Sequence, residues 1–484
     1  MKIKSIISAA VIALACTSCS DWLDVKPSDR ISEEGNFSTV PGFCQALNGI
    51  YVELNSSQLY GRTLSCEFIE IIAQRYAISA ENKDATELMN LTFDGSVAES
   101  RLESIWGKAY NLIANTNLLI QNCETNRAVL PDDYYHIVKG EAYALRAYLH
   151  FDLFRLFGHA YDQASTSIAI PYYDEFALDV APTPSSAEFM EHVIGDLLTA
   201  EQELQDDPIV RYGVKGNPKD VFFRYRNLRL NLYAVQGLLA RAYYYMHDDV
   251  NAYKYARKVI DVQERYFPWV TQLALTRAEP DHMFSTELLF AIQNLSRNTI
   301  YTDLFDGGSL RAGSLLAPKN DVAIQVFEDT KAETDYRYRY NFSTSTEISG
   351  TTYRIFTKYQ GADTDSLYTQ MIPMVRSSEA YLIAVETAAD DQEKLDLFQT
   401  FRNHRGLQGA DNIAELQPAG ELNTLLEKEW IKEFFGEGQL FYWYKRNGYT
   451  KMRSATDPTN SSPFYVSSQS SYVLPVPDAE TKYN

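Results

Sequence analysis

The stretch at 139–158, KGEAYALRAYLHFDLFRLFG, admits few folds. Ala142, Leu145, Leu149, Leu153 and Leu156 recur at helical spacing, and Tyr148, Phe151, Phe154 and Phe157 widen the apolar surface with rings. At about 100° per residue, Glu141, Asp152 and Arg155 fall on one narrow arc while Arg146 and His150 fall on roughly the opposite one. Two apolar flanks therefore separate two polar arcs. Such a helix requires neighbours on both sides, which makes the expected fold class mainly α, and Gly158 is placed to end it.

Other segments repeat the pattern. Phe43, Leu47, Ile50 and Tyr51 follow a Pro41-Gly42 start, and Ile105, Trp106, Ala109, Leu112, Ile113, Thr116 and Leu119 form one stripe that places Trp106 in a core. Ser185 and Ser186 can cap a helix running to about Leu204, stopped by Asp206-Asp207-Pro208. Leu239-Ala240-x-x-Tyr243, a break at His247-Asp248-Asp249, then Ala252, Ala256 and Val259 match the small and large positions of a tetratricopeptide unit. Alanine there lets two antiparallel helices approach closely. A looser pair falls at 379–388 and 392–403, and a further helix at 422–435. Repeat units bury their faces only by stacking, so one helical body is expected over 37–265, with 376–484 packing back on it. Between 266 and 375 the texture changes: Gly307, Gly308 and Gly350, Pro268, Pro280 and Pro318, and alternation at 336–340 and 351–357 predict short strands within an irregular insertion.

The N-terminus has the layout of an export signal over 1–18: Lys2 and Lys4, a short apolar run from Ile6 to Ala15, then small residues before Cys19. The run is too short to span a bilayer. Cys19 is the expected lipidation site of a bacterial lipoprotein, Cys16 is the rival, and 19–36 would be a lipid-proximal tether. Cys16-x-x-Cys19 lies inside the leader, so a redox or zinc reading fails. Cys44, Cys66 and Cys123 remain, an odd number that leaves at least one free thiol. The formal charge of −20 for 484 residues becomes −22 without Lys2 and Lys4. With no basic patch standing out, a nucleic-acid partner is excluded from the reading.

Several of these stretches resemble the SusD/RagB family of outer-membrane nutrient-binding lipoproteins. The 139–158 segment is similar to its GEA-x-x-LRA-x-x-x-F-x-L-x-R-x-FG motif, and Cys19-Ser20-Asp21-Trp22-Leu23-Asp24-x-x-Pro27 to its mature N-terminus. Trp106-x-x-x-Tyr110-x-x-Ile113-x-x-x-Asn117, Asp335-x-Arg337, Lys358-Tyr359, Arg376-x-x-Glu379-x-Tyr381-Leu382 and the terminal Pro475-Val476-Pro477 stretch to Asn484 resemble further family segments, in the family's order. The chain departs from the pattern in having Trp430 where an arginine is usual and Tyr442-Trp443 around the usual aspartate. That departure predicts aromatic packing in place of an internal ion pair. The resemblance implies a SusD-like helical fold, an outer-membrane, lipid-anchored and surface-exposed location, and a SusC-like TonB-dependent transporter as partner. It implies no enzymatic activity and no cofactor, with an oligosaccharide, or a peptide, as ligand.

Residue chemistry alone yields no catalytic site. The seven histidines form no H-E-x-x-H and no metal spacing, G-x-S-x-G is absent, and Gly436-x-Gly438 lacks the third glycine of a dinucleotide loop. Asp363-x-Asp365 reads as a solvated loop rather than a cation site. A carboxylate pair for glycoside hydrolysis is not readable from spacing, so a surface hydrolase on a helical scaffold stands as one alternative and a tetratricopeptide adaptor without a small ligand as another. Aromatic residues in loops offer a rigid apolar face with a polar edge, which suits a sugar ring. Arg75, Tyr76, Trp269 and Tyr301 fall in irregular stretches that no helical stripe claims, and they are the ligand-binding candidates. No residue is expected to bind a metal.

Overall fold

The computed structural model describes residues 33–161, 169–176, 181–361 and 367–481. The leader, Cys16, Cys19, most of the tether, Asp363, Asp365 and Asn484 lie outside the described residues. The chain is mainly α. Helix α1 (Val40–Leu54) starts at Thr39, whose hydroxyl accepts from Gly42 N (3.2 Å), and Phe43, Leu47, Ile50 and Leu54 are its buried stripe. Then come α2 (Ser96–Thr125), α3 (Asp132–Phe157) and α4 (Ser186–Glu203), the last opened by a reciprocal Ser185/Glu188 capping box. Trp106 on α2 is 6% exposed and packs edge-on against Phe157 (5.0 Å), a core residue as its stripe predicts.

Helix α3 is the centre of the body. It packs between α2 and α4, as its two apolar flanks require. Its polar arcs are enclosed as well, because distant segments supply partners for each charge. Arg146 pairs with Asp196 (2.6 Å), Asp152 accepts from Tyr60 Oη (2.8 Å), and His150 Nε2 accepts from Tyr173 N (3.1 Å). Gly158 follows the last helical residue in extended backbone, where a Cβ would sit 2.7 Å from the Phe154 ring. The freed carbonyls of that end are capped by buried Lys445, whose Nζ donates to Arg155 O (2.7 Å) and Gly158 O (2.6 Å).

The tetratricopeptide-like pair is α5 (Leu232–Tyr245) and α6 (Asp249–Tyr266), capped by Asn231 and Asp248. Ala252 and Ala256 have no exposed surface, and Tyr243 stacks on Tyr255 at 5.7 Å. Strand β1 (Leu288–Gln293) and helix α7 (Arg297–Leu304) open the insertion. A hairpin follows, β2 (Phe342–Ile348) with β3 (Thr351–Phe356), and β4 (Met371–Arg376) returns antiparallel to β1. The alternation at 336–340 is not a strand: Tyr336–Asn341 is a short helix, because Asp335 caps it from Arg337 N (3.0 Å) and Arg337 is drawn inward to Asp335, Glu429 and Glu433. Residues of 266–375 such as Phe290, Phe305, Phe342 and Phe356 join the same hydrophobic core as the helices.

The chain closes with α8 (Ser377–Thr387), which packs on α6, then α9 (Asp391–Asn403), α10 (Ala419–Phe434), α11 (Leu440–Arg446) and the two-residue strands β5 (Lys451–Met452) and β6 (Phe464–Tyr465). The expected exchange of an ion pair for aromatic packing is half corrected. Trp430 does stack on Trp443 (5.8 Å), with both indoles donating to Glu386 Oε1. Yet Glu433 keeps ion pairs, because Arg405 (2.6 Å), Arg376 (2.8 Å) and Arg337 (3.1 Å) reach it from three other elements. Among the described residues, Cys44, Cys66 and Cys123 are all free thiols, no helix is long and apolar enough to cross a membrane, and no cluster of metal-ligating side chains occurs.

Candidate functional site

The four candidate residues do not converge. Arg75 is 2% exposed and spends its guanidinium on Ala73 O and Arg453 O, tying the first segment to the last. Tyr76 is 1% exposed and donates to Cys66 O (2.6 Å). Neither presents surface to a ligand, because the irregular stretch that carries them is packed inside rather than laid over the body. Trp269 is half-buried, stacked on His404 (4.8 Å) and crossed by Arg405, so it plugs its loop onto α8 and α9. Tyr301 is half-buried on α7, the helix that contributes to the site described next.

A groove of about 1020 Å³ is assembled from three segments distant in sequence. Pro41, Cys44, Asn48, Tyr51, Val52 and Asn55 come from α1 and its end, Val221, Phe222, Arg224, Tyr225 and Arg229 from the loop before α5, and Gln293, Asn294, Leu295, Thr299, Ile300 and Asp303 from β1 and α7. Tyr225 stands in the left-handed region (φ 49°) and is half exposed. The loop holds this conformation through Tyr225 N donating to Lys215 O (3.1 Å), and a side chain at Gly216 would collide with Phe223 O at 1.9 Å. Val52, Val221 and Leu295 on the rim are 70%, 79% and 76% exposed, an apolar edge uncommon on a charged surface.

The floor is rigid. Arg229 lies over Phe222 (4.4 Å) and Tyr51 (5.2 Å), pairs with Glu141 (2.9 Å) and donates to Asn48. Tyr51 Oη donates to Glu141 Oε2 (2.8 Å) and accepts from Leu230 N (3.0 Å). Beneath them Arg226, with no exposed side-chain surface, bridges Glu141 (2.7 Å) and Asp207 (2.7 Å). Burial alone would raise the Glu141 carboxyl, but Arg229 and Arg226 together pull it below its ordinary value, so it is ionised at neutral pH. Burial pushes the Cys44 thiol up to about 12, which removes it as a nucleophile. Asn55 Nδ2 donates to Gln293 O (3.0 Å), while its Oδ1 has no partner among the described residues.

The chemistry on offer is thus aromatic planes beside carboxamides and arginines, with no nucleophile-base pair. The sequence signal for this site was available in a feature that composition hides. Residues 209–229, IVRYGVKGNPKDVFFRYRNLR, carry Arg211, Lys215, Lys219, Arg224, Arg226 and Arg229 against the single acid Asp220, so a basic run does exist within this acidic chain. The expectation of no basic patch is corrected.

The fold is that of a class of mainly α proteins of the SusD superfamily: one from Bacteroides thetaiotaomicron superposes with a TM-score of 0.73 at 20% identity, covering 92% of this chain and 98% of that one. A SusD-like carbohydrate binding protein from Bacteroides vulgatus gives 0.70 at 18%, covering 92% and 97%. Residues 21–212 match the SusD-like family described as starch-binding and associating with the outer membrane. Residues 21–212 are thus similar to SusD-like proteins, and the chain shares its fold with solved members of that superfamily. Curated relatives in Formosa agariphila include SusD-like protein P2, 26% identical over 42% of this chain, and SusD-like protein P38, 29% identical over 39%. The chain spans 39% and 34% of the length of those two relatives.

Proposed function

We propose that this protein is a non-enzymatic surface lipoprotein of the outer membrane, anchored through Cys19, that binds an oligosaccharide in the groove and passes it to a SusC-like TonB-dependent transporter. The observation that carries the reading is the groove itself: Tyr225 provides a half-exposed ring, the exposed Asn48 and Gln293 provide carboxamides, and the Arg229–Glu141 pair anchors Asn48 and Tyr51 beneath them. A hydrolase would need a carboxylate pair facing the ligand, and the one acid among the lining residues is Asp303. A peptide is the second reading, favoured by the exposed aliphatic rim of Val52, Val221 and Leu295.

Calorimetric titration against matched panels of oligosaccharides and peptides tests the ligand class. Tyr225→Ala and Asn48→Ala should each weaken the bound oligosaccharide about tenfold or more while thermal unfolding stays within a few degrees of wild type. Unchanged affinity in both variants would move the site elsewhere. Anchoring is tested separately. Cys19→Ala should shift the protein from membrane to soluble fractions, since stable attachment depends on several acyl chains, and pull-down of the anchored form should recover a large β-barrel. A mutant that stays in the membrane fraction would refute the anchor.

A further inference from the structure

The charges of the groove do not all cancel, and the remainder has a location. Arg226 and Arg229 are matched by Glu141 and Asp207. Arg62 is matched by Glu67 (2.7 Å) and by Asp303 (3.3 Å) across the rim. Arg224 is different: it is exposed, lines the groove, and makes no ion pair among the described residues. One of its guanidinium nitrogens donates to Pro218 O, which orients the fork. The bridge between Gly216 and Arg224, with Tyr225 N on Lys215 O, sets Lys215 beside it in the backbone, and Lys219 occupies the turn between. Among the described residues both lysines lack ion pairs as well. The loop's acid, Asp220, accepts from Tyr134 Oη (2.6 Å) and from Phe222 N (2.9 Å), which directs it to α3 and its own turn.

We infer, resting on the oligosaccharide reading above, that the groove selects acidic oligosaccharides, with Arg224 receiving a carboxylate or sulfate of the ligand while Tyr225 stacks on the same or the adjoining ring. A chain of formal charge −20 repels anions over most of its surface. Three cations without an ion pair among the described residues share one loop, of which Arg224 lines the groove, and this local exception steers an anionic ligand to it. A guanidinium fork is the side chain best matched to a carboxylate or sulfate because it offers parallel N–H donors in one plane. The placement of Arg224 in a groove with an aromatic ring and carboxamides favours a sugar acid over a flat anionic lipid surface.

The test compares short oligouronides and sulfated oligosaccharides with the same uronides after their carboxyls are reduced to alcohols, at low and moderate salt, using the full mature chain. Wild type is expected to bind the acidic form roughly tenfold tighter than its neutral counterpart, with the margin shrinking as salt rises. Arg224→Gln should abolish that margin by weakening the acidic form, and Lys215→Gln/Lys219→Gln should reduce it in part. These residues are exposed, so the fold is not at stake. Equal affinity for acidic and reduced oligomers, or an unaltered margin in Arg224→Gln, overturns the inference while leaving the oligosaccharide reading standing. Failure of both forms to bind defeats both. Arg224-dependent binding to vesicles containing anionic lipid, without oligouronide binding, overturns the inference in favour of a membrane contact.

Discussion

Replacing Arg226 by methionine isolates what the buried charges beneath the groove contribute. The side chain has no exposed surface and joins Glu141 (2.7 Å) to Asp207 (2.7 Å, with Nε on the other oxygen at 3.0 Å). Methionine fills a similar volume, so the loss is mainly ionic. Glu141 keeps Arg229 and the Tyr51 hydroxyl, and burial of its charge remains compensated. Asp207 does not fare as well: at 1% exposure it retains the Ile209 N–H (2.8 Å) of the helix it caps, and its charge stands alone. Removing one partner of a buried pair costs about 3–5 kcal/mol, and the surviving Glu141 contacts place this case near the lower end. With a urea slope of about 3 kcal/mol/M, the unfolding midpoint should fall by about 1 M. Arg226→Met/Asp207→Asn removes the stranded charge yet keeps an oxygen for Ile209 N, and it should be more stable than the single variant by about 1 kcal/mol or more. A single variant that loses less than about 1 kcal/mol, or a double variant no better than the single, would refute the reasoning that the uncompensated Asp207 charge dominates.

Two further outcomes follow from particular side chains. Burial pushes the Glu70 carboxyl up to about 7 from 4.5, against the opposing pull of Gly436 N (3.1 Å) and Gly438 N (2.9 Å), so the folded state holds its proton more tightly than the unfolded chain. This contribution is therefore full below pH 4.5 and declines as pH rises toward 7 by about 3 kcal/mol. Melting curves of Glu70→Gln across that window should lose the decline, and a slope equal to wild type would sink the assignment. Ala252→Leu introduces bulk at a fully buried contact of the α5–α6 pair and should destabilise by about 1–3 kcal/mol in denaturant melts, with a neutral result showing that the helix register is wrong.

Much of the helical body was legible because its signals are local. The apolar flanks of α3, the serine cap at Ser185 and the Ala252/Ala256 spacing depend on residues within a turn or two, and each reappears in the structure where the local signal placed it. The misreadings share a physical cause. Arg75, Tyr76 and the 336–340 stretch have no helical stripe, but burial is decided by what packs over a segment, and here Arg453, Cys66 and the Glu429/Glu433 pair come from elsewhere in the chain.

The sequence by itself therefore determined the fold class, the family resemblance and the charge inventory, including the basic run at 209–229, since these follow from residue types and short spacings. Tertiary structure alone decided which of those charges are spent. Arg229 meets Glu141 across 88 positions, and Arg405 meets Glu287 across 118, so both are neutralised inside, whereas Arg224, in the same short run, is left exposed at the groove. Pairing over such separations is set by how helices and loops stack in space, and no periodicity encodes it. For the same reason the groove, drawn from segments around 41–62, 221–229 and 292–303, exists as a site once the fold has brought them together.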